Sequence, residues 1–197
     1  VTIDANLLDE EHVEEGELAL KALANHLQRV RFIVSKERVA ELQKLPIWID
    51  WQHELTNMQY HPGRGWLKDH GYDVRLVKHV HVPRAKQLLD PRQWAKHPYC
   101  ILHELAHAYH DQVLGFDDPA IIGTFKQMEK SGTYEEVLSH TGRKVKHYAL
   151  SNHKEYFAES TEAYFGVNDF YPFVRAELQE HDPQMFRLLK SVWGEVK

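Results

Sequence analysis

Cysteine is almost missing from this chain, since Cys100 is the only one among 197 residues. A single cysteine excludes an internal disulfide framework and a zinc site built from several thiolates, so Cys100 is expected to be a small core residue. Long apolar runs are missing as well, because no stretch approaches the roughly 20 residues that a membrane-spanning helix needs. We therefore expect no membrane partner.

An excess of basic charge is also missing. The first 20 residues hold seven acids and no Lys or Arg, and the rest of the chain is close to balance with 24 bases and 22 acids. This distribution lacks the basic patch that nucleic-acid binding requires. The composition is otherwise that of an ordinary globular protein, and it predicts one domain over residues 1–197.

The chain does contain the motif H-E-L-A-H at residues 103–107. On a helix, positions i and i+4 lie on one face, so His103 and His107 can bind a single metal ion. Glu104 lies next to that face, where its carboxylate can reach a metal-bound water. The spacing indicates two zinc ligands and a general base. Because composition alone would produce this motif at odds of roughly one in ten, a third ligand is needed to support the interpretation.

Apolar spacing and helix-breaking residues predict an α+β fold with strands early and helices late. The half 1–114 is expected to hold a small mixed sheet and the motif helix, Pro98 to Leu114, ended by Gly115. The half 115–197 is expected to be mostly helical. The other helices are predicted at residues 9–28, 35–45, 119–130, 152–165, 173–180 and 183–196, with a short helical turn after Asp90-Pro91.

Three segments are predicted to be strands. Residues 30–34 and 47–51 flank the helix at 35–45, and a strand, helix, strand unit implies a parallel pair. Residues Arg75 to Arg84 are predicted to form an edge strand, because Pro83 lacks the amide donor that a central strand needs. Such an edge beside the metal helix can pair with an extended peptide, although a plain solvent-facing edge fits equally well. Residues 57–72 and 134–146 are predicted to be loops.

The helix predicted at residues 152–165 carries the candidates for the third ligand. Glu155 and Glu159 are four residues apart, so one can bind zinc while the other accepts the ring N–H of a histidine ligand. Two His, one Glu and a water match the usual count for catalytic zinc. Alternatively, Glu155 forms a capping box with Asn152 while Glu159 and Glu162 are solvated, although the apolar residues around them favour a buried helix.

The string Y-A-L-S-N-H-K-E-Y-F-A-E at residues 148–159 resembles the matching stretch of the anthrax lethal factor protease domain and its relatives, the Pro-Pro endopeptidases. In that family a tyrosine lies seven residues before the zinc-binding glutamate, and a second glutamate follows that ligand by four. With the upstream motif, the resemblance implies one catalytic Zn²⁺ bound by His103, His107 and Glu155, Glu104 as the base, Tyr148 as the hydroxyl facing the substrate carbonyl, and Glu159 as a support behind the ligands. The resemblance covers about residues 98–166, and a preference for proline pairs is not carried over.

The resemblance implies a zincin-like domain that hydrolyses a peptide or protein. Zinc and Tyr148 are expected to stabilise the oxyanion, with His147 and Tyr109 as reserve candidates for that role. The alternatives are a zincin-like domain that binds zinc or a partner without cleaving, a protein without metal, and a zinc hydrolase of a non-peptide substrate. We expect secretion, both from the resemblance and because the chain starts with Val1 rather than Met.

Overall fold

A computed structural model describes residues 1–196, and its fold is α+β, as the sequence predicts. The main sheet contains β1 (Thr2–Ile3), β2 (Ile47–Ile49), β3 (Gln59–Tyr60) and β4 (Val80–Val82), in the order β1-β2-β4-β3. β1 pairs with β2, and β2 with β4, in parallel, whereas β3 is antiparallel to β4.

Helices occupy most of the remaining chain. They are α1 (Val13–Ile33), α2 (Lys36–Leu42), α3 (Arg64–Asp69), α4 (Pro91–Lys96), α5 (Cys100–Tyr109), α6 (Pro119–Ser131), α7 (His153–Phe165), α8 (Arg175–His181) and α9 (Pro183–Trp193). A hairpin of β5 (Val137–Leu138) and β6 (Lys144–Val145) lies in the segment predicted to be a loop. Within residues 1–196, no helix has both the length and the apolar character needed to span a membrane.

The prediction of a strand at residues 30–34 is wrong, because α1 continues to Ile33. The buried residues of α1 recur at helical spacing, and Phe32, which the strand pattern counts as inward-facing, is 69% exposed. Burial of one helical face therefore outweighs the local β propensity. A parallel pair does exist, but β1 supplies its first strand, and both α1 and α2 lie in the connection to β2.

The prediction of an edge strand at Arg75 to Arg84 is also wrong. The extended part is β4, which is fully buried and lies between β2 and β3, while Val74–Leu76 forms a 3-10 turn. Pro83 comes directly after β4, so its missing N–H does not interrupt the pairing. The edges of the sheet are β1 and β3.

A close approach joins the start of α5 to the end of α7. Gly166 directly follows α7, and a Cβ at this position would lie 2.1 Å from ring carbons of Tyr99, the residue before α5. Only glycine fits there without displacing the ring. The contact holds α7 beside α5, all ten residues of which are buried.

Candidate metal centre

The motif lies in the middle of α5, as predicted. The helix begins at Cys100, slightly later than expected, and passes after Tyr109 into a π-helical turn, His110–Leu114. Gly115 ends this turn with φ +89°, a conformation that suits glycine. π-helical turns are rare and recur at functional sites.

Three side-chain atoms converge beside α5. His103 Nε2 and His107 Nε2 are 3.1 Å apart, and Glu155 Oε2 lies 3.3 Å from the first and 3.2 Å from the second. Ligand atoms about 2.0–2.2 Å from a tetrahedral zinc are about 3.3 Å from one another. The separations and the donor set of two imidazoles and a carboxylate therefore fit a zinc ion.

Glu155 reaches this point from the first turn of α7. Asn152 caps the helix, because its side-chain oxygen accepts hydrogen bonds from the N–H groups of Lys154 and Glu155. The Glu155 carboxylate is directed to the histidines. Burial would raise the pKa of Glu155, but its hydrogen bonds with His103 and His107 outweigh burial and lower the pKa below the ordinary value. The carboxylate is thus in the ionised form that binds metals.

Glu162, rather than Glu159, holds the ring of His103. The Nδ1–H of His103 donates to Glu162 Oε1 at 2.6 Å, whereas Glu159 Oε1 lies 3.6 Å from the same nitrogen. With its proton on Nδ1, His103 offers the Nε2 lone pair to a metal. His97 Nε2–H also donates to Glu162 Oε1, at 2.8 Å. Burial would raise the pKa of Glu162, but the neighbouring His97 and the two hydrogen bonds lower it.

Sequence reasoning missed the roles of Glu162 and His97. Glu162 is fully buried, so the solvated alternative is wrong for it. The available signal was its position seven residues after Glu155, which puts both carboxyl groups on one face of α7. No comparable signal pointed to His97, which lies outside both helices.

Glu159 lies close to the centre but has no hydrogen bond to a candidate ligand. It is 2% exposed, and among residues 1–196 its Oε2 atom has no hydrogen-bond partner. Burial and the nearby Glu162 raise the pKa of Glu159, while His103 opposes the shift. The solvated alternative is wrong for Glu159 too.

Glu104 and Tyr148 both line a cleft of about 970 Å³ that contains the three converging side chains. Glu104 is buried, and burial raises its pKa, which makes its carboxylate a stronger base. Tyr148 begins a 3-10 turn, Tyr148–Ser151, and is 50% exposed. Burial of its ring and the nearby Glu155 raise the pKa of Tyr148, so its hydroxyl retains the proton that a hydrogen-bond donor needs.

The two reserve candidates for the oxyanion role lie elsewhere. Tyr109 is buried, and its hydroxyl donates to Glu41 Oε2 at 2.8 Å. His147 is also buried, and its Nδ1 accepts the N–H of Ala149 at 3.0 Å. Neither Tyr109 nor His147 is among the described residues that line the cleft.

β3 and the segments on either side of it also line the cleft, and this side is named the sheet wall. Its lining residues are Thr56, Asn57, Met58, Gln59, Tyr60, Pro62 and Trp66. His61 N–H donates to His79 O at 3.1 Å, and Lys78 N–H donates to His61 O at 2.7 Å. Because successive residues of a strand direct their amides to opposite sides, the N–H and C=O of Tyr60 are directed away from β4. Among residues 1–196, no strand pairs with this edge of β3, and such an edge can hydrogen-bond an extended chain.

Residues 92–192, just over half of the chain, match the family described as "Anthrax toxin lethal factor, N- and C-terminal domain". The matched segment includes α5 and α7 and therefore all three converging side chains. No curated protein and no solved structure matches the chain.

Proposed function

Because the chain belongs to the anthrax toxin lethal factor family, we propose that it is a zinc-dependent peptidase of the zincin type. The observation that carries the proposal is the convergence of His103, His107 and Glu155 beside the buried Glu104. Three protein ligands leave one position of a tetrahedral zinc for water. When bound, zinc supplies a more acidic water and a Lewis acid for the substrate carbonyl.

The residues of the cleft have distinct roles in this reaction. Glu104 takes a proton from the attacking water and passes it to the leaving amine. The Tyr148 hydroxyl donates a hydrogen bond to the oxyanion that forms on the former carbonyl oxygen. Glu162 keeps the proton of His103 on Nδ1, which fixes the orientation of the ring.

The substrate in this proposal is a peptide or protein that lies extended along β3. The segment Arg75 to Arg84 cannot serve as that edge, because β4 is paired on both sides. Within the described residues 1–196, β3 is paired only with β4, and its residues line the cleft. Secretion is also part of the proposal, with family membership as its support, and fractionation of the producing culture tests it.

Zinc analysis and cleavage of a peptide library test the proposal directly. We expect about one zinc per chain, loss of cleavage on chelation and its recovery when zinc is added back. Glu155→Ala should lower zinc occupancy. Glu159→Ala removes a carboxylate one turn later on the same helix and should leave occupancy unchanged.

The possible outcomes separate the alternatives. Zinc binding without cleavage of any library peptide would indicate a non-cleaving zinc domain or a hydrolase of another substrate class. A purified protein that binds no zinc would exclude the proposal altogether. Loss of zinc in Glu159→Ala but not in Glu155→Ala would move the third ligand by one helical turn.

A further inference from the structure

A second polar cluster connects the end of the motif helix to the sheet wall of the cleft. The Tyr60 hydroxyl donates to Asp111 Oδ2 at 2.5 Å and accepts a hydrogen bond from Gln112 Nε2 at 3.1 Å. The Lys78 ammonium group contacts the same Asp111 oxygen. The main-chain carbonyl of Lys78 accepts a hydrogen bond from Gln112 Nε2 at 3.2 Å. These four residues, Tyr60, Lys78, Asp111 and Gln112, are named the Asp111 clamp.

The π-helical turn His110–Leu114 brings two consecutive side chains of the clamp to one hydroxyl. In a regular α-helix, residues i and i+1 do not face each other. Asp111 and Gln112 nevertheless both bond the Tyr60 hydroxyl. Asp111 follows His107 by four residues, so the residue that binds the Tyr60 hydroxyl lies about one turn beyond a candidate metal ligand, in the π-helical turn that continues α5.

The strand held by the clamp has little support of its own. β3 contains two residues and, in the part of the chain that the structure describes, pairs only with β4. Tyr60, whose main-chain amide is directed to the unpaired edge, is the residue that Asp111 holds by its side chain. Lys78 has φ +64°, a left-handed conformation that is unfavourable for lysine and that persists where its side chain and carbonyl are both bonded.

We propose that Asp111 is a positioning residue that sets the distance between the open edge of β3 and the two metal-binding histidines. It thereby determines how an extended substrate main chain is presented to the metal centre. This inference rests on the proposed function, because it assumes a metal at the histidines and a peptide along β3. It assigns Asp111 no contact with the reacting atoms.

Two hydroxamate probes on the Co²⁺-loaded protein separate positioning from metal binding. Acetohydroxamate binds the metal and has no peptide portion, whereas N-acetyl-trialanine hydroxamate adds backbone amides that can reach β3. Binding of each is read from the visible spectrum of the cobalt. Asp111→Asn and Tyr60→Phe should each weaken binding of the trialanine probe roughly 10-fold and leave acetohydroxamate binding unchanged.

Tyr109→Phe is the matched control. It removes a hydrogen bond of the same type, from Tyr109 to Glu41, on the same helix but outside the cleft. It should leave binding of both probes unchanged. The same loss of trialanine binding in this control would mean a general loss of stability and would overturn the proposal.

The remaining outcomes are also distinct. Weaker acetohydroxamate binding in Asp111→Asn or Tyr60→Phe would mean that the clamp acts on the metal centre itself, and it would overturn the positioning role. Unchanged binding of the trialanine probe in Tyr60→Phe would also overturn the positioning role, even if Asp111→Asn failed to fold. A wild-type protein that binds neither cobalt nor probe would instead overturn the proposed function, and this inference with it.

Discussion

The two walls of the cleft differ in where their polar groups lie. On the helical wall, formed by α5 and α7, the carboxyl groups of Glu104, Glu159 and Glu162 are buried. On the sheet wall, the main chain of β3 has an edge with which no strand of residues 1–196 pairs. Buried networks fix a few atoms in place, whereas an open edge accepts a chain. Under the proposed function, the helical wall performs the reaction and the sheet wall binds the substrate.

The largest expected effect belongs to the helical wall. Glu104→Gln keeps the size of the side chain but removes the base, so kcat should fall roughly 10²- to 10⁴-fold. KM and zinc content should stay close to the wild-type values. Steady-state kinetics with metal analysis of the same preparation measure all three quantities. A variant with wild-type kcat would show that Glu104 is not the base.

Tyr148 lines the cleft with a half-exposed side chain, so it could act in the reaction or only in substrate binding. Its replacement tests which of these two roles it has. Tyr148→Phe should lower kcat about 10²- to 10³-fold, the usual cost of losing one oxyanion donor. Zinc content should not change. A rise in KM with an unchanged kcat would place Tyr148 on the binding side and weaken the division between the walls.

Glu162→Gln should weaken zinc binding by roughly 10- to 100-fold, because an amide holds the His103 ring less firmly than a carboxylate does. Competition with a chromogenic chelator measures this affinity. Glu159→Gln is the matched control, since its Oε1 atom lies 3.6 Å from His103 Nδ1 rather than 2.6 Å. A larger loss of zinc affinity in Glu159→Gln than in Glu162→Gln would identify Glu159 as the residue that holds the His103 ring.

The smallest effect is expected on the sheet wall. Replacing one substrate amide with an ester, at a bond other than the cleaved one, removes a single hydrogen bond to β3. One such bond contributes about 0.5–1.5 kcal/mol, so KM should rise roughly 2- to 12-fold while kcat stays constant. A scan of ester positions in which kcat falls instead would show that the walls do not divide binding from reaction.

The sequence predicted the helical wall because its residues follow local spacing. His103 and His107 are one turn apart on a helix that Gly115 ends, and Asn152 marks the start of α7. Spacing could not decide between Glu159 and Glu162, because both lie on the face of α7 that bears Glu155. The choice depends on how α7 is rotated against α5, and only packing determines that rotation.

The sheet wall could not be predicted in the same way. β1 and β3 have two residues each, which is too short for an alternating pattern to be recognised. The sequence pattern did predict an extended segment that includes β4. The central position of β4 in the sheet depends on its pairing with both β2 and β3, which the pattern does not reveal. The clamp at Asp111 joins residues that are 51 positions apart in sequence.

The contact of Gly166 with Tyr99 lies at the opposite end of α7 from Glu155, the candidate third ligand. Gly166 lies eleven residues after Glu155, or about 16 Å along α7. A methyl group at Gly166 would overlap with the Tyr99 ring, so either the ring or the end of α7 would have to move. The helix that bears Glu155 therefore packs closely against the residue before α5 at its far end, and a side chain larger than that of glycine would disturb this packing.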